Sequence, residues 1–130
     1  MDYSQGAIDL ARKIAEKDEC EVKFETLDLL SCDCREQFAD SFRIVVDKGT
    51  FDAISLSETA SKDKVMYVEN VGRMLQSDGL LLITSCNWVE SELVNHFSDK
   101  FTLKQTVPTP TFTFGGKTGS TTTFYIFSKK

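Results

Sequence analysis

The sequence has few of the residues that bind transition metals. Its 130 residues include one histidine, His96, and four cysteines, of which Cys32 and Cys34 form a C-x-C pair. Zinc sites normally take four nitrogen or sulfur ligands in paired spacings, which this set does not supply. We therefore predict no metal site, structural cysteines with free thiols, and a solvent-exposed His96 in a polar helical stretch.

The chain also lacks a long apolar run and an excess of basic residues. No run approaches the length of a bilayer span, and we expect no secretory leader. The formal net charge is −5 and the isoelectric point is about 4.9, so no basic face is available for a phosphate backbone. These features predict a cytoplasmic protein that binds neither membranes nor nucleic acid, with a weak preference for a basic partner.

The sequence does contain a regular alternation of helical and strand patterns. An amphipathic helix is predicted over Ser4–Lys17, with Ser4 as N-cap and an apolar stripe, including Leu10 and Ile14, that lies on a sheet. Two almost wholly apolar runs are typical of strands buried on both faces of a parallel sheet: Phe42–Val46 and Leu80–Cys86. The other predicted elements are strands at Val22–Thr26, Phe101–Val107 and Thr121–Ser128, and helices at Lys62–Leu75, closed by Gly79, and Glu90–Phe97. This alternation predicts one α/β domain with a mainly parallel sheet.

Polar or aromatic residues follow four successive predicted strands. They are Asp2, Asp28, Asp47 and the pair Asn87-Trp88. Ligands of open α/β sheets bind beyond the carboxyl ends of the strands, so these positions are candidates for a binding edge. Each one taken singly is equally well explained as a turn residue, because loops use Asp and Asn for their own turns. Their recurrence at successive strand ends favours the binding edge.

Five strings, in order along nearly the whole chain, resemble a known enzyme family. They are MDYSQGAIDLARK, DLLS, VVDKGTFDAISL, LLLITSCNW and PTPTFTFGGKTG. Together they resemble the class I, S-adenosylmethionine-dependent methyltransferases, and more narrowly the protein-lysine methyltransferases that modify eukaryotic translation elongation factor 1-alpha. The resemblance implies a Rossmann-like class I methyltransferase fold, S-adenosylmethionine as cofactor and the elongation factor as protein substrate.

The resemblance also implies roles for residues at the strand ends. Asp2, with Tyr3 beside it, matches the position that holds the ribose hydroxyls, and a carboxylate suits a vicinal diol because it accepts two hydrogen bonds. Asp28 matches the residue facing the adenine amino group, with Leu29 as an apolar wall. The loop after the fourth strand then borders the methyl group and the incoming amine; it comprises Asp47, Lys48, Gly49 and Thr50.

Asp47 is the residue expected to act in catalysis. In-line methyl transfer depends mainly on alignment and exclusion of water, so a strong base is not essential. A carboxylate beside a lysine favours its ammonium form, whereas burial favours the neutral amine that attacks. We therefore assign Asp47 to positioning the amine and cofactor, with the alternative that it is a strand-end cap paired with Lys48. Gly49 is expected to serve a backbone conformation or close approach, and Asp52 to stabilise the same turn.

Aromatic residues are candidates for the walls of a lysine channel, since they contact the methylene stem and attract a cationic head. They are Phe51, Trp88, Phe112 and Phe114, and each one singly is also explained as core. Asn87 and Phe114 are placed at the substrate side with Trp88. Gly115, Gly116 and Gly119 suggest a mobile rim there; the spacing is not that of a phosphate-binding loop, and no helix follows.

One family feature is missing, because no D-x-G-x-G turn precedes Asp2. In the family's usual strand order, third, second, first, fourth, fifth, seventh, sixth, the first strand is central. Residues 1–130 are therefore expected to form the C-terminal two-thirds of a methyltransferase domain, without the first strand, the glycine loop and most of the second strand. The third and fourth strands would then be separated, with unpaired edges, weak cofactor binding and marginal stability of the monomer.

Two alternatives to a protein-lysine methyltransferase stay open. One is a truncated, non-catalytic product that acts as an interaction module or is an unstable fragment. The other is a methyltransferase for a small molecule, which the DKGTFD and SCNW strings favour less than the protein-modifying branch.

Overall fold

A computed structural model describes residues 1–108 and 122–130 and, between them, the backbone of two short strands. Helices and strands alternate along most of the chain, as the sequence predicts. The helices are α1 Gln5–Lys17, α2 Cys32–Gln37, α3 Thr50–Ile54, α4 Ala60–Met74 and α5 Glu90–Phe97. The strands are β1 Phe42–Lys48, β2 Leu75–Ser85, β3 Phe101–Pro108, β4 Thr113–Phe114, β5 Lys117–Thr118 and β6 Thr123–Lys129.

The main sheet has the order β1-β2-β6-β3. Strands β1 and β2 pair in parallel, whereas β6 lies antiparallel between β2 and β3. Three strands therefore point one way and β6 points the other way, so only one of the three pairings is parallel. This order is that of the fourth, fifth, seventh and sixth strands expected from the resemblance. Strands β4 and β5 form a separate two-stranded ladder.

The core lies between one face of the sheet and the helices α3, α4 and α5. The sheet contributes alternate residues of its strands, because side chains of a strand point to opposite faces in turn. The buried apolar residues of this cluster are Phe51, Tyr67, Val68, Val71, Leu75, Leu81, Ile83, Leu93, Phe97, Phe101, Tyr125 and Phe127. In the part of the chain that is described, no helix is long and apolar enough to cross a membrane.

Burial of β1 on both faces, predicted from its apolar run, is wrong. Ile44 is 55% exposed and Val46 is 67% exposed. β1 is an edge of the main sheet, and the described residues provide no strand beside it other than β2. In the described part of the chain, no layer therefore covers the side chains of Ile44 and Val46.

The N-terminal segment departs from expectation in a similar way, because its apolar stripe is also left largely uncovered. Helix α1 begins after Ser4, whose hydroxyl accepts a hydrogen bond from the Ala7 amide, as predicted. Its stripe does not lie on a sheet, since Leu10 is 60% exposed and Ile14 is 51% exposed. The strand predicted at 22–26 is reduced to one parallel bridge between Asp2 and Thr26.

Strand β2 begins earlier than the sequence predicts. Helix α4 ends at Met74, and Leu75 already pairs with Phe42 before the register shifts to Ile44 and Leu80. Gly79 lies within this strand and does not close the helix. A Cβ there would lie 2.9 Å from the carbonyl oxygen of Gln76, so the close approach of the backbone explains the glycine.

Candidate functional site

An open cleft of about 910 Å³ runs along the exposed edge of β1, from Phe42 to the loop that follows the strand. Much of its wall comes from residues 1–3, from residues 27–30 and from β1 with the loop after it, and further lining residues come from α3, α4 and the turn between them. Every residue predicted to bind the cofactor lines this cleft, together with the loop after β1. These residues are Asp2, Tyr3, Asp28, Leu29, Asp47, Lys48, Gly49 and Thr50. The fold therefore gathers these residues around one cleft beside β1, whereas Asn87 and Trp88, predicted for the same edge, do not line it.

Asp2 and Asp28 are exposed carboxylates held by short turns. Oδ1 of Asp2 accepts a hydrogen bond from the Ser4 amide at 2.8 Å, and Oδ1 of Asp28 accepts one from the Leu30 amide at 2.9 Å. The described residues offer Oδ2 of either carboxylate no hydrogen bond, so that oxygen is available to a ligand. Each carboxylate thus uses one oxygen to hold its own turn and leaves the other oxygen for a ligand. The sequence had left these two roles, turn residue and binding residue, as alternatives.

Asp47 is the opposite case, because its carboxylate is buried and its oxygens have partners. Oδ1 accepts from the Thr50 amide at 2.8 Å, and Oδ2 accepts from the Phe51 amide at 3.0 Å. Oδ2 also accepts from the Tyr67 hydroxyl at 2.5 Å. Asp47 therefore caps α3, which agrees with the alternative prediction of a strand-end cap. Its partner is Tyr67, and in the described part of the chain it makes no ion pair with Lys48.

Two neighbours keep the Asp47 carboxylate in this geometry. Gly49 has a φ of 85°, a left-handed conformation that lets the chain turn directly from β1 into α3. The pKa of Tyr67 is raised well above its ordinary value by burial, by the charge of Asp47 and by the hydrogen bond between them. Tyr67 therefore stays protonated and donates, which makes Asp47 a fixed anion.

Asp52 does not act within its own turn as expected. Its carboxylate is 8% exposed and reaches across to the end of β2, where Oδ1 accepts from the Ser85 hydroxyl at 2.7 Å. Oδ2 lies 3.3 Å from the amide nitrogen of Cys86, which donates to it. The hydroxyl of Ser85 in turn accepts from the amides of Asn87 and Trp88. These bonds join the two loops that carry the DKGTFD and SCNW strings.

Trp88 lies in an aromatic cluster apart from the lining of the cleft. Its ring is 5.6 Å from that of Phe51 and 4.9 Å from that of His96, and Nζ of Lys64 lies 4.9 Å from its centre. Phe51 is fully buried, so it is a core residue and not a wall of the cleft. Asn87 is exposed and also lies outside the lining of the cleft. Phe112, the side chain of Phe114 and the three glycines of the predicted rim lie outside the described residues.

His96 is half-buried, so its predicted solvent exposure is wrong. Its imidazole packs edge-on against Trp88, and its Nε2 lies 3.4 Å from Nζ of Lys64. The sequence missed this because the helical pattern around His96 is polar, while the contacting side chains come from other parts of the chain. Tyr67 and Ser85 were also missed. Tyr67 lies near the apolar stripe of α4, and Ser85 lies within a quoted string, but neither position discloses its partner.

We expect the fluorescence of Trp88, the single tryptophan, to report the titration of His96. Burial and the charge of Lys64 lower the pKa of His96 from its ordinary 6.5, against a smaller opposing effect of Glu92. Because the folded state disfavours the protonated ring, stability falls as the pH drops below the unfolded value. A fluorescence titration should give a midpoint below 6.5, and the change should be absent in His96→Gln. A midpoint at or above 6.5 would contradict this environment.

Comparison with known proteins agrees with the fold. A family model described as a methyltransferase domain matches residues 1–125. The chain is 41% identical over 131 residues to human EEF1A lysine methyltransferase 2, covering 99% of this chain and 54% of the relative. It is 42% identical over 133 residues to protein-lysine N-methyltransferase efm4 of Schizosaccharomyces pombe, covering 98% and 55%. The chain thus spans about half the length of these relatives.

A solved structure supports the same fold at low sequence identity. The crystal structure of a SAM-dependent methyltransferase from Methanosarcina mazei aligns with a TM-score of 0.72 and 17% identity, covering 98% of this chain and 79% of that one. The predicted class I methyltransferase fold is therefore confirmed. With the family model matching almost the whole length, the chain belongs to the methyltransferase-domain family.

Proposed function

We propose that this chain is part of an S-adenosylmethionine-dependent protein-lysine N-methyltransferase whose substrate is translation elongation factor 1-alpha. Relatives that match nearly the whole chain carry names stating this activity. The observation that carries the proposal is the meeting of Asp2, Asp28 and the Asp47 loop in one cleft. A substrate that works in translation also agrees with a cytoplasmic location.

The residues of the cleft fit the cofactor that the fold implies. Asp2 and Asp28 each present a carboxylate oxygen that the described residues leave without a donor, and both side chains face the cleft. Asp2 with Tyr3 would hold the ribose, and Asp28 with Leu29 would hold the adenine. When bound, S-adenosylmethionine supplies a methyl group on a sulfonium, ready for in-line displacement.

Asp47 is proposed to position the reacting groups and not to remove the proton. Its oxygens already accept from two amides and a tyrosine hydroxyl, so the carboxylate is held in one orientation, and in-line transfer depends mainly on such alignment. A lysine with an ordinary pKa of about 10.4 arrives as an ammonium, which the fixed anion attracts. Loss of the proton to water of the open cleft then leaves the neutral amine that attacks the methyl carbon.

The substrate side of the proposed site consists of two loops. The first follows β1 and contributes Lys48, Gly49 and Thr50, which line the cleft. The second follows β2 and contributes Asn87 and Trp88, and Phe114 is proposed to join them. Nζ of Lys64 lies over the ring of Trp88, so this face can hold a cation, and a substrate lysine bound there would take the place of Lys64.

A second candidate, a non-catalytic interaction module, is favoured by one observation. Apolar side chains are exposed on both α1 and β1, where Leu10 and Val46 are the most exposed examples. Such surface is typical of a region that contacts another polypeptide. This candidate predicts binding of a partner without methyl transfer, so the enzymatic assay separates the two functions.

Mass spectrometry of the elongation factor tests the proposed function. Purified elongation factor 1-alpha is incubated with S-adenosylmethionine and either this chain or a version extended at its N-terminus by the family's glycine turn and first strand. We expect methyl-lysine in at least one digest, and none when the lysines of the substrate have been blocked beforehand. Absence of methyl-lysine with both versions would contradict the proposal.

A further inference from the structure

We infer that Asp52 and Ser85 are positioning residues that hold the Asn87-Trp88 loop in the orientation needed for the protein substrate. The inference rests on the proposed function and names a feature that determines specificity within the same site. The two side chains are 33 positions apart, and both are buried, at 8% and 2% exposure. Their bond is a direct side-chain link between helix α3 and the end of β2, from which the Asn87-Trp88 loop leaves.

The hydroxyl of Ser85 uses its full hydrogen-bonding capacity. A serine hydroxyl has one donor and two acceptor lone pairs. The proton goes to Oδ1 of Asp52 at 2.7 Å, and the lone pairs receive the amides of Asn87 at 3.1 Å and Trp88 at 3.2 Å. Asp52 thereby fixes the rotation of the hydroxyl, so that its lone pairs face the two amides.

The burial of Asp52 makes this link costly to break. A buried carboxylate is stable only when it is paired or hydrogen-bonded. In the described part of the chain, Asp52 has no cationic partner, and its donors come from Ser85 and Cys86. The carboxylate therefore holds this loop in place because the loop is the source of its hydrogen bonds.

Helix α3 extends this coupling to the cleft. Asp47 caps its N-terminus, and the consecutive residues Phe51 and Asp52 both contact the loop after β2. Phe51 packs on the ring of Trp88, while Asp52 fixes the backbone ahead of it. One short helix thus connects the anion beside the cleft to the proposed substrate loop.

Hydrogen exchange and kinetics of variants test the inference. In Ser85→Ala and Asp52→Ala, we expect the amides of Asn87 and Trp88 to exchange at least about tenfold faster, equivalent to a loss of about 1.4 kcal/mol of local protection. In the form of the enzyme that methylates, the KM for the elongation factor should rise about tenfold while the Kd for S-adenosylmethionine stays unchanged. Ser85→Thr keeps the hydroxyl, so its amide exchange rates and its KM for the elongation factor should be close to those of the parent.

A core variant provides the control for general destabilisation. Val71→Ala removes two methyl groups from a fully buried site and leaves the hydrogen bonds of Asp52 and Ser85 intact, so it should lower stability without raising the KM. Unchanged exchange in Ser85→Ala, or an unchanged KM for the elongation factor with normal parent activity, would overturn the inference. An inactive parent enzyme would instead contradict the proposed function, and the exchange of the two amides would still report whether the link holds the loop.

Discussion

Replacing Asp47 with alanine is expected to reduce methyl transfer on the order of 100-fold, because the loop beside the reacting groups would lose its anchor. The same change should lower the free energy of unfolding by about 2–4 kcal/mol, the sum of a lost helix cap and a buried tyrosine hydroxyl left without its acceptor. Initial rates with the elongation factor and urea unfolding followed by Trp88 fluorescence measure the two effects.

Two further variants separate the charge of Asp47 from its role as a cap. Asp47→Asn keeps an oxygen that can cap α3 and a group that can pair with Tyr67, so its stability should fall less while the KM for the protein substrate rises. Tyr67→Phe removes one hydrogen bond, for a loss of about 1–2 kcal/mol, and leaves the carboxylate on the α3 amides, so its rate should fall much less. An Asp47→Ala variant that methylates at the parent rate would remove Asp47 from the site.

Cofactor affinity is the second large effect that we expect. The 130-residue chain should bind S-adenosylmethionine at least about tenfold more weakly than the version extended at its N-terminus, a difference of about 1.4 kcal/mol. Isothermal titration of both proteins under the same conditions measures it.

The reason lies in how the walls of the cleft are held. The Asp2 segment is tied to the Asp28 segment by the bridge to Thr26 and by side-chain hydrogen bonds, and Asn70 of α4 donates to the carbonyls of Leu29 and Ser31. The described residues nevertheless provide no strand between that bridge and β1. Binding of the cofactor must therefore order the wall that carries Asp2 relative to the wall formed by β1. The free energy spent on this ordering reduces the affinity for the cofactor. A strand beside β1 would cover Ile44 and Val46 and fix the cleft before the cofactor arrives.

A matched extension distinguishes the strand from added length. An N-terminal extension with the same composition in scrambled order lacks the alternation that forms a strand, so it should leave the affinity near that of the shorter chain. Equal affinity of the shorter chain and the properly extended chain would show that the open edge of β1 does not limit binding.

The sequence alone determined the features that depend on near neighbours. Helix α5 has the bounds that its pattern predicts, and Ser4 caps α1 as its position indicates. Helical and strand periodicities are encoded within a few residues, and a cap needs only the next turn, so such features can be predicted locally. The strand-end position of Asp47 follows in the same way, because a strand's end fixes the edge at which its last residues lie, whereas Asp2 and Asp28 lie beside a single bridge and not at strand ends.

Only the tertiary structure decided which neighbour each side chain meets. Whether the stripe of Leu10 and Ile14 is covered depends on another layer, and the pattern itself is the same in either case. The bond between Asp52 and Ser85 and the contact of His96 with Trp88 join residues from different elements, and no local spacing specifies them. Asp47 illustrates both levels, since its place at the strand end was fixed by sequence, while its burial against Tyr67 was decided by the packing of α4 on the sheet.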